Sequence, residues 1–408
     1  MARETNGSWG NAIEVPGSAA LNSSGGAQVS SVSCATAGTC AAGGYYNNGS
    51  GEQAFVVSET NGSWGKAREV PGTGTLNSGG AADAISVSCP TAGTCTAGGY
   101  YKDGSGHAQA FVVGETNGSW DTAVEVPGSA NLNSGGYAQV SSVSCPTAGN
   151  CIAGGYYEDG SGHLQAFVVG ETHGSWGKAL EVPGSATLNS GYLASVTSVS
   201  CPTAGNCAAG GYYKDGSGHY QALVVGETHG SWGKAMEVPG SATLNSAGSA
   251  VVQSVSCGAA GTCAAGGYYK DGSGNFQAFV VGETNGSWGN AIEVPGTATL
   301  NSGGNAQVDS VSCAAAGDCA AGGYYAGDFG SQQAFVASST APCVVPKLVG
   351  KTLSAAKKTL TAASCGVGKI TSVYAKAKKG LVVAQRPKPG TQLTHGAKVA
   401  LTVSKGKR

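Results

Sequence analysis

The stretch SVSCPTAGNCAAGGYY, residues 198–213, occurs in six near copies along a chain of 408 residues. Each copy sets two cysteines with five residues between them and ends in Gly-Gly-Tyr-Tyr. The tryptophans keep the same period: Trp9, Trp64, Trp120, Trp176, Trp232 and Trp288 stand 55 residues apart once and 56 residues apart four times. A fixed period of this length means one supersecondary unit repeated, each unit burying its apolar face against the next. Four short segments separated by turn residues make up a unit; in the second they are 85–89, 95–101, 109–115 and 120–127. Ala110-Phe111-Val112-Val113 is an apolar run of β-formers, while Asp103-Gly104-Ser105-Gly106 and Asn117-Gly118-Ser119 signal tight turns. No helical period is visible anywhere in this region.

Four antiparallel strands per unit, repeated six times, predict an all-β, six-bladed β-propeller with four-stranded blades. The two ends of the array sharpen this expectation. The chain opens with a fourth segment, 9–16, and leaves the array after three segments of a unit, 308–313, 319–325 and 333–337. Together they make one complete blade, so the last blade is expected to be closed by the N-terminal strand, as in WD-repeat propellers. An open solenoid of β-units is the alternative, and it has no need of complementary ends. The domains are then a propeller over 1–338, a short linker at 339–342 and a second domain over 343–408.

The chain has 70 glycines without a collagen-like triplet period, so they serve turns and close backbone approaches. Charged residues make up only 11%, and the net charge of −1 conceals a split. Residues 343–408 hold 14 of the 22 Lys+Arg and none of the 23 acids, giving about +14 there and about −15 before it. The fourteen cysteines fall as six pairs in the repeats plus Cys343 and Cys365. An even, regular set in a charge-poor chain points to an oxidising compartment. No leader precedes the first repeat; the expectation is export with a leader removed, to an extracellular or cell-wall location. No apolar run is long enough for a membrane-spanning helix.

The tail is a different object. Residues 354–363 carry the one good helical period, with Leu353, Ala356 and Leu360 on one face, and alternating segments follow at 369–374, 381–386 and 398–404. Val345-Pro346 with Leu348 and Gly350, the helix positions Ala356 and Leu360, Gly380 and Val382, Gln385-x-Pro387-x-x-Gly390, and Gly396 form a connected set of marks. On these the tail resembles a PASTA domain, the small α+β module appended to penicillin-binding proteins and bacterial Ser/Thr kinases. The resemblance implies a surface or wall location in a Gram-positive bacterium, most simply an actinobacterium, and affinity for peptidoglycan. Nothing before Pro342 resembles the penicillin-binding or kinase domains that accompany the module in that family. The Ser-Val-Ser-Cys…Gly-Gly-Tyr-Tyr unit is itself similar to repeats of secreted actinobacterial proteins, which implies architecture and compartment but no activity.

The repeat cysteines pair as Cys34 with Cys40, Cys89 with Cys95, Cys145 with Cys151, Cys201 with Cys207, Cys257 with Cys263, and Cys313 with Cys319. In each pair the first ends one strand and the second begins its hairpin partner, so the two can face each other within disulfide range. A zinc site needs about four ligands, and a blade offers two thiols with no histidine nearby in sequence. A redox centre would show Cys-x-x-Cys in a thioredoxin-like setting. Structural disulfides are the expectation, with one between Cys343 and Cys365 tying the start of the tail to its helix end. The tyrosines also come in pairs: Tyr45 with Tyr46, Tyr100 with Tyr101, Tyr156 with Tyr157, Tyr212 with Tyr213, Tyr268 with Tyr269, and Tyr324 with Tyr325. They either pack between blades or stack on sugar rings as a multivalent lectin-like surface. The tryptophans are read as packing between blades.

Six-bladed propellers host sialidases, and Gly170-Glu171-Thr172-His173-Gly174-Ser175-Trp176 resembles their Asp-box turn, but it is one residue short and lacks the aspartate. Sialidases also clamp a carboxylate with several arginines, whereas the array holds only Arg3 and Arg68. Near-identical repeats place any inner-strand residue six times around the axis, while catalysis needs asymmetry. The repeat-specific acids Asp83, Asp121, Glu158, Asp309 and Asp318 fall in loops or near strand ends without a recognisable partner, and His107, His163 and His219 occupy equivalent turns. Asp103-Gly104-Ser105-Gly106 supplies one carboxylate and no calcium cage.

These readings combine into a non-enzymatic binding protein: a propeller offering a multivalent platform, with glycans as the candidate ligand, tethered to peptidoglycan or an anionic wall polymer by the basic tail. Lys376, Lys378, Lys379, Arg386 and Lys388 are the candidate wall-polymer contacts. No cofactor or metal is expected, and nucleic acid fits the tail poorly because Tyr374 is its one stacking aromatic. The competing readings are a glycan-acting propeller enzyme and a rigid structural spacer.

Overall fold

The computed structural model describes residues 4–5, 8–339, 343–393 and 396–407. Each repeat folds into an antiparallel blade with its strands in chain order. In the second repeat the first three strands are Ala82–Thr91, Thr94–Lys102 and Ala108–Thr116. The fourth is broken into Ser119–Trp120 and Val124–Glu125, and both pieces pair with the third strand. The break has a cause in the neighbouring blade. The Ala123 N–H, which a continuous ladder would use, donates instead to the Pro71 carbonyl of the preceding connection at 2.7 Å.

The turns form as the sequence predicts. Asn117 and Gly118 both take positive φ, 52° and 77°, the type I′ geometry that matches the right-handed twist of a hairpin. Between blades the chain does something the period did not announce. After Val-Pro-Gly it makes a single helical turn, Ser129–Leu132 in one copy, entered through Gly128 at φ 81°. Four residues are too few to leave a helical period in the sequence. Asn133 closes the turn and ties two blades together: its amide donates to the Ala108 carbonyl and to Gln109 Oε1, and its Oδ1 accepts the Tyr137 N–H.

The cysteine hairpins need one correction. The second cysteine of a pair does not open its strand: Cys40, Cys95 and Cys319 each stand second, after Thr39, Thr94 and Asp318. Cys151, Cys207 and Cys263 do the same after Asn150, Asn206 and Thr262. Nor does the first cysteine end its strand, since the strand of Cys34 runs on to Thr36 and that of Cys89 to Thr91. The reason is the tightness of the turn. Thr36 pairs with Thr39, and Thr91 with Thr94, so the ladder closes over only two residues and the cysteines lie inside it.

Core clusters form between adjacent blades rather than within one. Ala166 and Val168 of the third blade pack with Val196, Val199, Ala209 and Leu223 of the fourth. Serine hydroxyls reinforce the seam, as Ser142 and Ser144 accept the Val199 and Cys201 N–H groups at 3.0 Å. The same pair of bonds joins blades one to two, two to three and four to five.

The sixth blade departs from expectation. It holds three strands, Ala306–Ala315, Asp318–Ala326 and Gln332–Ser338, and among the described residues no N-terminal strand completes it. The N-terminal segment carries its own copy of the third strand's end: Glu4–Thr5 pairs with Ser8–Trp9 as a self-contained hairpin. Two faces therefore stay uncovered. Val336 is 88% exposed where Val56 is fully buried, and Val32 is 59% exposed where Val87 is buried.

Two compact units emerge, Met1–Ser312 with Ala321–Ala337, and Ser338–Arg408 with Cys313–Ala320. The expected linker lies, apart from Ser339, outside the described residues. In the second unit the helix Leu353–Ala362 buries Ala356 and Leu360 completely. The closing strand Lys398–Ser404 lies between Gly366–Val373, parallel to it, and Val382–Arg386, antiparallel.

Candidate functional site

The two glycines before each tyrosine pair have different tasks. A Cβ on Gly210 would lie 2.5 Å from Val252 Cγ1 and 2.6 Å from Val255 Cγ2, so the first glycine lets the next blade approach. A Cβ on Gly211 would lie 1.9 Å from the Ser195 carbonyl oxygen, at a register shift between Val196 and Ser198. The second glycine thus accommodates a β-bulge in the first strand.

This geometry sorts the tyrosines. Tyr46, Tyr101, Tyr157, Tyr213 and Tyr269 are buried, and each hydroxyl donates to a glutamate of the fourth strand; Tyr157, for instance, bonds Glu181 Oε2 at 3.0 Å. Burial, then the adjacent carboxylate, pushes these phenols well above their ordinary range. They are framework, not a stacking surface. Tyr45, Tyr100, Tyr156, Tyr212, Tyr268 and Tyr324 are half-buried and form the candidate surface together with the half-buried Tyr325 of the last blade. Tyr156 packs 5.4 Å from Tyr137 between ring centroids, Tyr212 5.7 Å from Tyr220, and Tyr268 5.4 Å from Phe276.

The row is not sixfold uniform. In the first strand, opposite the leading tyrosine, stand Gln28, Asp83, Gln139, Ser195 and Val251 in successive blades. At the start of the third strand stand Glu52, Ala108, Leu164, Tyr220 and Phe276. The repeats therefore diverge at the tyrosine end. Two of the repeat-specific acids depart from the expectation: Asp309 lies inside a strand, where Gln307 donates to it, and Asp83 sits on a strand opposite Tyr100, where Ser30 of the preceding blade donates to both its oxygens at 3.1 and 3.2 Å. Burial, with a further push from Glu52, raises the Asp83 carboxyl to about 6. A cavity of about 310 Å³ lies here, lined by Glu52, Tyr100, Lys102, Tyr137, Gln139 and Tyr156 among others. The sequence offered no sign of this grouping, because its members are drawn from three successive repeats.

Other candidates are spent on structure. The Asp103 carboxylate accepts the Ser105 and His107 N–H groups and the Gln109 amide, which hold it below its usual range. His107, His163 and His219 lie 3.7–3.9 Å from the aspartate of their own turn. Among the described residues no group of three or more His, Cys, Asp or Glu is placed to hold a metal ion.

All fourteen cysteines form disulfides in the expected pairs. Cys34 bonds Cys40, Cys89 bonds Cys95, Cys145 bonds Cys151, Cys201 bonds Cys207, Cys257 bonds Cys263 and Cys313 bonds Cys319, with Cα–Cα separations of 3.9–4.1 Å. Cys343 bonds Cys365 across 4.7 Å. The bridges do not sit in one environment. Cys95 is buried in the cluster between blades, whereas Cys40 of the first blade and Cys319 of the last are half-buried. Trp120, Trp176, Trp232 and Trp288 pack against the clusters between blades.

In the tail, Gln385 clasps the entering segment: its Nε2 donates to the Pro346 carbonyl at 2.8 Å and its Oε1 accepts the Leu348 N–H at 2.7 Å. This explains why Gln385, Pro346 and Leu348 occur together. Lys376, Lys378, Lys379, Arg386 and Lys388 line its surface, mostly exposed. Lys369 and Arg386 border a shallow groove of about 180 Å³ with Thr371 and Thr402. The sequence model of the PASTA domain matches residues 344–405. Residues 344–405 are a PASTA domain. The PASTA domain follows repeated β-blades, and together with the disulfides it suggests a cell-wall or extracellular setting. No helix among the described residues is long and apolar enough to cross a membrane.

Curated proteins provide no match to the chain. Among solved structures, a Hadza microbial sialidase superposes with TM-score 0.42 at 9% identity, over 76% of this chain and 65% of the sialidase. The β-propeller domain of the Trilobed protease from Pyrococcus furiosus gives TM-score 0.43 at 7% identity, over 76% of this chain and 82% of that one. A neuraminidase-like protein of subtype N11 from a flat-faced bat influenza virus gives 0.38 at 13%, over 76% and 87%. These are similarities in the course of the backbone, and nothing about substrate follows from them.

Proposed function

We propose that the chain is a non-enzymatic binding protein of the cell surface, its PASTA domain holding the wall and its blades presenting a carbohydrate-recognition platform. The observation that carries this reading is the placement of variation. Blades that are alike in core, disulfide and turn differ from one another at the tyrosine end, where half-buried aromatic rings are on offer. Aromatic rings beside scattered polar groups suit sugar rings, and repetition lets weak contacts sum to avidity. The PASTA domain supports a wall location, and its exposed lysines suit the carboxylates of peptidoglycan or an anionic wall polymer.

Two measurements test this. The full chain should sediment with insoluble peptidoglycan, and Lys376→Ala/Lys378→Ala/Lys379→Ala should pellet several-fold less; equal pelleting of the two removes the lysines from the reading. On a glycan array, binding to defined oligosaccharides supports the platform, and a blank array leaves the blades a spacer.

One observation favours a second reading, an enzyme acting on glycans. Asp83, near Glu52 and Tyr100, has a carboxyl poised for proton transfer near pH 6. Release of reducing sugar from array-positive glycans, lost in Asp83→Asn, would favour it; an inert wild-type chain would end it.

A further inference from the structure

At the disulfide end, each Glu-Thr-x-Gly-Ser-Trp hairpin meets the third strand of the preceding blade. In the first of these junctions the preceding strand supplies Ser58. Its hydroxyl donates to Glu115 Oε1 at 2.5 Å and accepts from the Trp120 indole N–H at 3.0 Å. Glu115 and Trp120 are both buried there. The glutamate and indole thus act as a matched acceptor and donor converging on one hydroxyl oxygen.

The later blades keep the glutamate and the tryptophan and delete the hydroxyl. By repeat equivalence Gly114, Gly170 and Gly226 stand where Ser58 does, ahead of Glu171/Trp176, Glu227/Trp232 and Glu283/Trp288 in the following repeats. With the serine gone, these tryptophans are partly exposed. Among the described residues Glu227 remains buried, with an 8% exposure, and its Oε2 has no hydrogen-bond partner, nor has Glu171 Oε2; Glu283 of the next repeat is buried, with a 6% exposure. A buried carboxylate oxygen without a partner is costly, which calls for a group that fills the place. Two of the junctions open as grooves. The one lined by Gly170, Glu227 and Trp232 has a volume of about 790 Å³, and the one lined by Gly226, Glu283 and Trp288 about 450 Å³. Both volumes lie within the range of small-ligand sites, about 300–1,000 Å³.

We propose that these two grooves are equivalent saccharide sites in which a sugar hydroxyl takes the position that Ser58 Oγ fills in the first junction, donating to the glutamate and accepting from the indole N–H. A hydroxyl on a carbon bearing apolar C–H faces is the group that satisfies both partners and still covers the exposed edge of the tryptophan. An ordered water would satisfy the polar pair alone, and a ligand hydroxyl that reproduces its bonds displaces it without loss. Because the grooves repeat at successive blades, a linear oligosaccharide or a densely glycosylated surface engages both and gains avidity. The proposal rests on the carbohydrate-platform reading and adds sites at the disulfide end to the surface at the tyrosine end.

The test returns the missing serine. Gly170→Ser/Gly226→Ser in the full chain should plug both grooves as Ser58 plugs the first. Neither glycine has positive φ, and a Cβ on Gly226 would meet nothing closer than Glu283 Oε1 at 3.8 Å. The probes are the oligosaccharides to which the wild-type chain binds on a glycan array, followed in solution by tryptophan fluorescence. The expected result is at least a tenfold loss of affinity in the plugged chain with its thermal midpoint kept, and a gain of one more site in Ser58→Gly. Unchanged affinity in a folded plugged chain overturns the grooves and leaves the platform standing. A blank array for the wild type overturns both.

Discussion

Asp83 shows what one substitution does on a repeated frame. The positions equivalent to it hold glutamine, serine or valine, so in this row of six it alone is a carboxyl, and burial raises it. A carboxyl raised to about 6 binds more protons folded than unfolded between its unfolded value of about 4 and pH 6. Its contribution to stability is therefore greatest below pH 4 and falls as pH rises through 6. Asp83→Asn should match the wild type at pH 4 and be the more stable of the two at pH 8, in urea titrations at both values. A constant difference would mean that Asp83 does not titrate in this range. Tyr157 makes the opposite case, a residue whose polar atom is entirely structural. Tyr157→Phe removes the donor to Glu181 Oε2 and should cost about 1–3 kcal/mol in the same titration without changing glycan or wall binding.

At the scale of the element, the hairpin of the first two strands is the most legible part of the molecule, and the connections between blades the least. Asn-Gly and the spaced cysteines act through neighbours in sequence, so turn and disulfide follow from local residues. Only the strand ends were misplaced there, by the one or two residues that set Cys40, Cys95 and Cys319 inside the ladder. Cys201→Ala/Cys207→Ala should lower stability by about 2 kcal/mol on chain-entropy grounds, with the remaining blades intact by circular dichroism. A loss several times larger would mean that this hairpin governs more than its own loop. The one-turn helix and the asparagine after it were not legible, because Asn133 takes its partners from residues 24–25 positions earlier, across a blade boundary. The candidate sites fail to appear for the same reason. Tyrosine pairs announce aromatic surface, but only packing tells which ring of each pair is buried, and only the blade seam brings Ser58 to Glu115 and Trp120. The tail was readable nearly residue by residue, since its marks, Gln385 with Pro346 and Leu348, are the contacts themselves.

For the molecule as a whole, charge and repetition divide the work. The PASTA domain is basic while the blades carry the opposite sign, so on the proposed function wall binding should weaken as salt rises and screens the lysines. Repetition has a further effect through the seams. The valine pair against the first glycine and the serine hydroxyls on backbone N–H groups recur from blade to blade, so stability is close to a sum of units and neighbour terms.

The uncovered faces at Val32 and Val336 take this one step further. Among the described residues no fourth strand completes the last blade, so a gene that gained or lost one period by recombination between its own copies would be expected still to encode a folded product. On the proposed function the 56-residue period would then be an exchangeable cassette, and ligand valency would change by whole steps. Excising residues 145–200, which rejoins Ser144 to Cys201 in phase, should leave a chain with the same β-rich circular dichroism and a thermal midpoint within a few degrees. Collapse of that signal would instead reveal that the blades are counted.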